Sequence, residues 1–270
     1  MRRIFPPGTN AMSTEPLLKV NFHTHTPLCH HAVGKPREYV ETAIRAGYRR
    51  LGFSDHSPMP FPDPDYRSGV RMSLVEADDY FSCLVDLRKE YARDIEILIG
   101  VEAEYSPRTF DALREFLSGY PLDYAIQGQH FLGEEQDGHW CGAGYDDPAA
   151  FDVYLDAILR GAESGFFTYV AHPDMFRWEG DEKTFRSKWT PVLKRLKELD
   201  MPVEINRLGV SDHRHYPTDR FFRLAAELGL SAIIGADAHS PTSLVDAPAI
   251  RGCFDMAQRC GIPILDDLHV

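Results

Sequence analysis

The residues best suited to chemistry stand at Val20-Asn21-Phe22-His23-Thr24-His25-Thr26, where two histidines sit two apart just beyond a short apolar run. On an extended segment that spacing sends both imidazoles to one side of the backbone, so they can grip one metal ion. Such a pair also arises by chance on solvated strands, so its weight depends on what else the chain supplies. Further His, Asp or Glu follow at Asp55/His56, Glu102/Glu104, His130, His172/Asp174, Glu204 and Asp237/His239. A lone buried histidine is usually a hydrogen-bonded core residue and an Asp-His pair is often a helix cap, but no packing requirement explains the joint pattern. Neutral imidazoles mixed with carboxylates suit zinc, iron or manganese better than calcium or magnesium, and one carboxylate can bridge two cations through its two oxygens.

The elements that must position these groups are short, β-rich apolar segments: Leu18–Phe22, Arg50–Phe53, Ile95–Val101, Tyr124–Ile126, Phe167–Val170, Pro202–Ile205 and Ala232–Ile234. Between them the periodicity is helical, over Pro36–Ala46, Val75–Arg93, Phe110–Leu117, Pro148–Ser164, Phe185–Leu199, Asp219–Leu228 and Val245–Cys260. Strand and helix alternate throughout, which implies a parallel sheet covered by helices. In an open sheet the functional groups would gather at one switch point, whereas in a barrel nearly every strand delivers one to a common rim. Here nearly every strand is followed by a His, Asp or Glu. The predicted fold is therefore α/β, a distorted (β/α)7 TIM-like barrel in a single domain over residues 17–270. Residues 1–16 are expected to form a loose extension, with Met12 as an alternative start.

With 270 residues, 43% of them hydrophobic, the chain can bury one large core, and no linker, repeat or low-complexity run divides it. The formal charge of -12 argues against nucleic-acid binding, which needs clustered Lys and Arg. Five cysteines with no CxxC pair suit a reducing cytoplasm better than a disulfide framework. Arg2 and Arg3 are followed by Pro6, Pro7 and Gly8 where a signal core would stand, and no run is long enough to cross a bilayer.

With these motifs in view the chain resembles the PHP (polymerase and histidinol phosphatase) metallo-phosphoesterases. The matching stretches run in family order: His23-Thr24-His25-Thr26, Ser54-Asp55-His56, Gly100-Val101-Glu102-Ala103-Glu104-Tyr105, Gly128-Gln129-His130-Phe131, Ala171-His172-Pro173-Asp174 and Gly235-Ala236-Asp237-Ala238-His239. Within the family it looks most like the stand-alone histidinol-phosphate phosphatases, through Cys29-His30-His31, Leu122-Asp123-Tyr124 and Glu204-Ile205-Asn206-Arg207. The resemblance implies three divalent transition-metal ions. His23, His25, Glu102 and Asp237 would hold the first, and Glu102 would bridge to a second on His130 and His172. His31, His56 and His239, joined by Asp55, would hold the third. The chain departs from the family pattern at Gln129, Glu104, Pro173 and Arg207-Leu208-Gly209-Val210.

Cations about 3.5–4 Å apart lower the pKa of a shared water and clamp the attacking and leaving oxygens of an in-line displacement at phosphorus. Glu102 and Asp237 are thus the expected catalytic carboxylates. Positive groups should line the rest of a phosphate pocket, and Arg177 and Arg207 are the expected substrate-binding residues. Asp174 and Glu104 are candidates to orient ligand histidines from behind. Cys29 reads as a packing residue, His30, His213 and His215 as surface histidines, and Phe61–Ser68 as a rim loop too proline-rich for a helix. The implied reaction is hydrolysis of L-histidinol phosphate, a small phosphorylated substrate, in histidine biosynthesis. The alternatives are another small phosphate ester or nucleotide, or a catalytically silent metal-binding module. An amidohydrolase-type site would place a lysine at a strand exit, and none stands there.

Overall fold

The computed structural model describes residues 18–268, so the expected extension over 1–16, with Met12, lies outside the described residues. Seven strands follow in chain order: β1 (Val20–Asn21), β2 (Arg50–His56), β3 (Glu96–Ala103), β4 (Tyr124–Gln127), β5 (Tyr169–Val170), β6 (Val203–Asn206) and β7 (Ala232–Gly235). Each pairs in parallel with the next, in the order β1 to β7. The first and last strands then meet beyond their ends. Thr24 bridges Ala238 in parallel, with His25 N–H donating to the Ala238 carbonyl at 3.0 Å and Ala238 N–H to the His23 carbonyl at 3.2 Å. Asn21 seals the same seam, accepting from Ala236 N–H at 2.8 Å and donating to the His23 carbonyl at 3.0 Å. The sheet is therefore a nearly closed seven-stranded barrel, and its closing bonds run through the backbone of the HxH segment.

Helices α1 (Pro36–Ala46), α2 (Ala77–Glu90), α3 (Phe110–Leu117), α4 (Pro148–Glu163), α5 (Glu182–Glu198), α6 (Arg207–Ser211), α7 (Asp219–Glu227) and α8 (Ala247–Cys260) cover the outside. Their apolar stripes face the sheet; α5, for example, buries Phe185, Trp189, Val192, Leu193 and Leu196. Each such side chain contributes roughly 1.5–3 kcal/mol through burial. Helix α5 starts three residues earlier than the periodicity suggests because Asp181 caps it, accepting from Thr184 N–H at 2.9 Å. The short α6, five residues long, has too few residues to show a period in the sequence.

Two strands run two or more residues past the ends of their apolar segments. β2 continues to His56 and β3 to Ala103, because the parallel register pairs Asp55 with Val101 and His56 with Glu102. Asp55, His56 and Glu102 thus belong to the sheet itself, which fixes their backbones more tightly than a loop would. Inside the barrel, Val20, Phe22, Leu98, Tyr124, Ile126, Tyr169, Ala171 and Ile233 form their own apolar cluster. The Tyr124 hydroxyl donates to the carbonyls of Phe22 at 2.6 Å and Phe53 at 3.1 Å. All five cysteines are free thiols. Among the described residues no helix is long and apolar enough to cross a membrane.

Candidate metal centre

At the carboxyl ends of the strands, seven histidines converge. The His23 and His25 Nε2 atoms are 3.1 Å apart, and the His25 ring stacks on His239 at 4.1 Å. His56 lies 4.5 Å from His25, His31 lies 4.7 Å from His239, and His130 lies 4.9 Å from His172, all between ring centroids. Glu102 stands among them with its two oxygens turned to different sets. Its Oε2 is 3.0 Å from His56 Nδ1 and 3.5 Å from the Nε2 atoms of His23 and His25. Its Oε1 is 2.8 Å from His172 Nε2 and 3.5 Å from His130 Nε2. Asp237 Oδ1 is 3.0 Å from His25 Nε2, 3.3 Å from His239 Nδ1 and 3.5 Å from His23 Nε2.

Buried polar atoms normally find hydrogen-bond partners, yet Glu102 Oε2, Asp237 Oδ1 and His239 Nε2 have none. They approach other ligand atoms closely without hydrogen-bond alignment, as lone pairs do when aimed at a common point between them. Groups of mutually close ligand atoms include His23/His25/Asp237, His23/Glu102/His172 and His25/His56/His239. This donor set fits divalent transition metals.

A second layer holds the ligands. Glu204, fully buried on β6, places both oxygens 3.0 Å from His23 Nδ1, the carboxylate–histidine arrangement that fixes ring orientation and raises ligand basicity. Asp55 is likewise placed to orient its neighbours. Its Oδ1 takes His56 N–H at 2.8 Å and lies 3.3 Å from His25 Nδ1, while its Oδ2 takes Thr26 N–H at 3.0 Å and the Thr26 hydroxyl. Both carboxylate oxygens accept hydrogen bonds, and Asp55 also lies within ligand-atom reach of His25 and Cys29. Glu104 lies 3.4 Å from His130 Nδ1. Among the described residues no hydrogen bond or ion pair joins Asp174 to a histidine; it accepts from Thr218 N–H at 2.6 Å, and burial pushes its carboxyl up to about 6.

The carboxylates need room that only glycine leaves. A Cβ at Gly128 would overlap Glu102 Oε1, and one at Gly235 would overlap Glu204 Oε1. Two of the clustered residues sit in backbone conformations that L-residues rarely adopt, His172 at φ 29° and Asp237 at φ 45°. Strain of this kind persists only where the surroundings hold it.

Electrostatics divide the cluster. Burial alone would lower the His23 imidazole, but Glu204, Asp237 and Glu102 lift it to about 10. His172 is also buried and is raised by Glu102. Burial and the neighbouring His25 act the other way on the cavity side, where His56 is held well below its ordinary value and His239 falls to about 3. Burial opposes ionisation of Glu102 and Asp237, yet the surrounding imidazoles keep both well below the usual carboxylate range. Ionised carboxylates and neutral imidazoles are the forms that bind cations.

A cavity of about 460 Å³ opens onto this cluster, lined by His25, His31, His56, Glu102, His130, His172, Asp237 and His239 on one side. Phe131, Trp140, Met175, Leu208 and Tyr216 make an apolar wall, and Arg71 and Arg214 are the cations present. The two expected arginines are elsewhere. Arg177 is half-exposed and paired with Glu179 at 2.9 Å, because its backbone is bonded to Cys141 and Tyr145 and directs the side chain away from the cavity. Arg207 is buried beneath the site, donating to the carbonyls of Ala236 at 2.8 Å and Asp237 at 3.2 Å and lying 3.3 Å from Asp246. It braces the strained backbone at Asp237 and has no free face for substrate. Arg71 and Arg214 sit in loops with no motif around them, so no sequence signal marked them. Cys29 is fully buried, and its sulfur is close to His31 and His239.

A PHP domain model matches residues 21–208. A probable histidinol-phosphatase of Deinococcus radiodurans is 32% identical over 239 residues, 81% of this chain and 85% of the relative. A histidinol-phosphatase of Bacillus subtilis is 32% identical over 249 residues, 80% of this chain and 92% of the relative. A solved histidinol phosphate phosphatase from Lactococcus lactis, complexed with zinc, L-histidinol and phosphate, superposes with a TM-score of 0.69. It is 21% identical, and the match covers 93% of this chain and 99% of that one.

Proposed function

This chain belongs to the PHP-domain family, and on that premise we propose that it is a metal-dependent phosphomonoesterase hydrolysing L-histidinol phosphate to L-histidinol and phosphate. The observation that carries the proposal is the buried ring of histidines around Glu102 and Asp237, with ligand atoms left unpartnered at the floor of a small cavity. The names of the two sequence relatives supply the alcohol half of the substrate. The free thiols are in keeping with a reducing, cytoplasmic setting.

The ligand sets proposed are His23, His25, Glu102 and Asp237 for one ion, Glu102, His130 and His172 for a second, and His31, His56 and His239, joined by Asp55, for a third. Zinc, iron or manganese suits each set. Bound there, the cations would supply Lewis acidity to the attacking water and offset charge on the phosphoryl oxygens.

The protein's own part is positioning. Glu204 and Asp55 hold His23 and His25 in one orientation. Arg214 is the cation placed to take a phosphoryl oxygen. Its Nη1 donates to the Tyr216 hydroxyl at 3.0 Å, Asp212 lies 3.0 Å from its Nη2, and Asp237 acts on it electrostatically. Arg71 is unsuited to that task, since it is buried between two buried carboxylates, Glu104 and Glu135, whereas the Arg214 side chain is 38% exposed. Trp140, Phe131 and Met175 give the alcohol half an apolar wall that excludes water. Asp237, ionised at the floor of the cavity, is the carboxylate in position to accept the proton given up by the attacking water and pass it to the leaving alkoxide.

The test is phosphate release from L-histidinol phosphate beside a nucleoside monophosphate and an aryl phosphate. Strong preference for L-histidinol phosphate, with an Arg214→Met variant raised mainly in KM, is the expected result. Hydrolysis of only the other esters would overturn the substrate, and no turnover of any ester by metal-loaded protein would overturn the esterase.

A further inference from the structure

Arg71 lines the cavity beside His130, yet it is 2% exposed and lies between two carboxylates that are themselves buried, Glu104 and Glu135. Its Nη2 donates to Glu104 Oε1 at 2.7 Å, its Nε to Glu135 Oε2 at 2.5 Å and its Nη1 to the Ser57 carbonyl at 3.4 Å. Each carboxylate has a second task. Glu104 Oε1 is the atom 3.4 Å from His130 Nδ1, and Glu104 Oε2 accepts from Phe131 N–H at 3.3 Å. Glu135 Oε1 accepts from the Tyr66 hydroxyl at 3.0 Å and the Ser68 hydroxyl at 2.6 Å. Tyr66, Ser68 and Arg71 belong to the long segment between β2 and α2, which has no helix or strand of its own. One guanidinium therefore touches both the group behind a ligand histidine and the group that fastens the rim loop.

We infer that Arg71 is a positioning residue for the His130 metal subsite, holding Glu104 against His130 while its bond to Glu135 ties the same arginine to the seated rim loop. The planar fork explains why an arginine stands here: its separate N–H groups reach two carboxylates at once, which a lysine ammonium on a flexible stem cannot do in a fixed geometry. Glu104 left without Arg71 would be a buried carboxylate with a missing partner, free to turn from His130. Arg71, not itself a ligand, therefore acts on the metal subsite through Glu104, whether or not Tyr66 and Ser68 fasten the loop to Glu135. This inference rests on the metal-centre reading above.

The experiment is equilibrium dialysis of the full chain against Mn²⁺ alone, counting bound equivalents and their affinities for wild type, Arg71→Met, Arg71→Lys and the double variant Tyr66→Phe/Ser68→Ala. The double variant loosens the loop but leaves Arg71 on Glu104. Arg71→Met should weaken one equivalent by about 10–100-fold, the range for loss of a group that orients a metal ligand. Arg71→Lys should weaken the same equivalent by at least about threefold, because it keeps the charge and loses the fork. The double variant should bind every equivalent as wild type does. Wild-type affinity in folded Arg71→Met would overturn the inference, as would wild-type affinity in Arg71→Lys should the Met variant fail to fold. Equal weakening in the double variant would also overturn it, since fastening the loop would then be the whole effect. A wild-type chain that binds no metal would instead sink the metal-centre reading, and this inference with it.

Discussion

The two ends of one barrel interior follow opposite rules. Alternate residues of a strand face the same way, so Leu98, Gly100 and Glu102 form one inward row on β3, and Ile233, Gly235 and then Asp237 form another along and just beyond β7. At the lower end these rows meet Phe22, Tyr124, Ile126 and Tyr169 in an apolar cluster, where the Tyr124 hydroxyl has two carbonyl partners. At the upper end they meet histidines, and Glu102 Oε2 and Asp237 Oδ1 are left without hydrogen bonds. The lower half is packed with apolar protein atoms and, among its described residues, leaves only the Tyr169 hydroxyl without a partner, whereas the upper half gathers several unpartnered ligand atoms around one space, arranged for something the protein does not supply. Stability should therefore reside below and metal-dependent chemistry above, and substitutions can pull the two apart.

The largest separation is expected from Glu102→Gln, which removes the carboxylate facing both histidine sets. Phosphate release should fall by at least about 10²–10³-fold, as when a preorganised charge-stabilising group is lost, with the far-UV circular dichroism unchanged. Ile126→Ala in the lower cluster should do the reverse. It should cost about 2–5 kcal/mol in urea unfolding while metal content and kcat stay at wild-type values. Glu204→Gln should weaken metal binding by about 10–100-fold through His23, with little change in the melting temperature of chelator-treated protein. The smallest effect is expected from Tyr124→Phe, about 1–3 kcal/mol of stability for two buried carbonyls losing a donor, with activity retained. Loss of metal in a folded lower-end variant, or collapse of the metal-free Glu102 variant, would break the comparison.

Much of the upper end was legible because its ligands come in short motifs. His23 and His25 are two apart on an extended segment, and Asp237 and His239 repeat that spacing after β7. The alternation of strand and helix pointed to the barrel for the same reason, since it is a local pattern. What escaped the sequence depends on long-range placement. Glu204 looked like one more acid at a strand end, and only folding brings it to His23, 181 positions away. An acid flanked by Val203 and Ile205 in a buried strand was the available signal. Arg207 was expected to face substrate, but helix α6 begins at that residue and its side chain folds back beneath Asp237. Arg71 and Arg214 gave no signal at all, because loop arginines carry no period and their partners are set by tertiary contacts.

The most direct test of the central claim is to strip the protein with chelator, titrate it with Mn²⁺ or Zn²⁺, and follow bound equivalents and phosphate release from L-histidinol phosphate together. Three equivalents per chain, with activity absent in the stripped protein and returning as they fill, is the result expected of a centre built from these histidines around Glu102 and Asp237. Full activity in stripped protein, or no specific uptake of either metal, would contradict it.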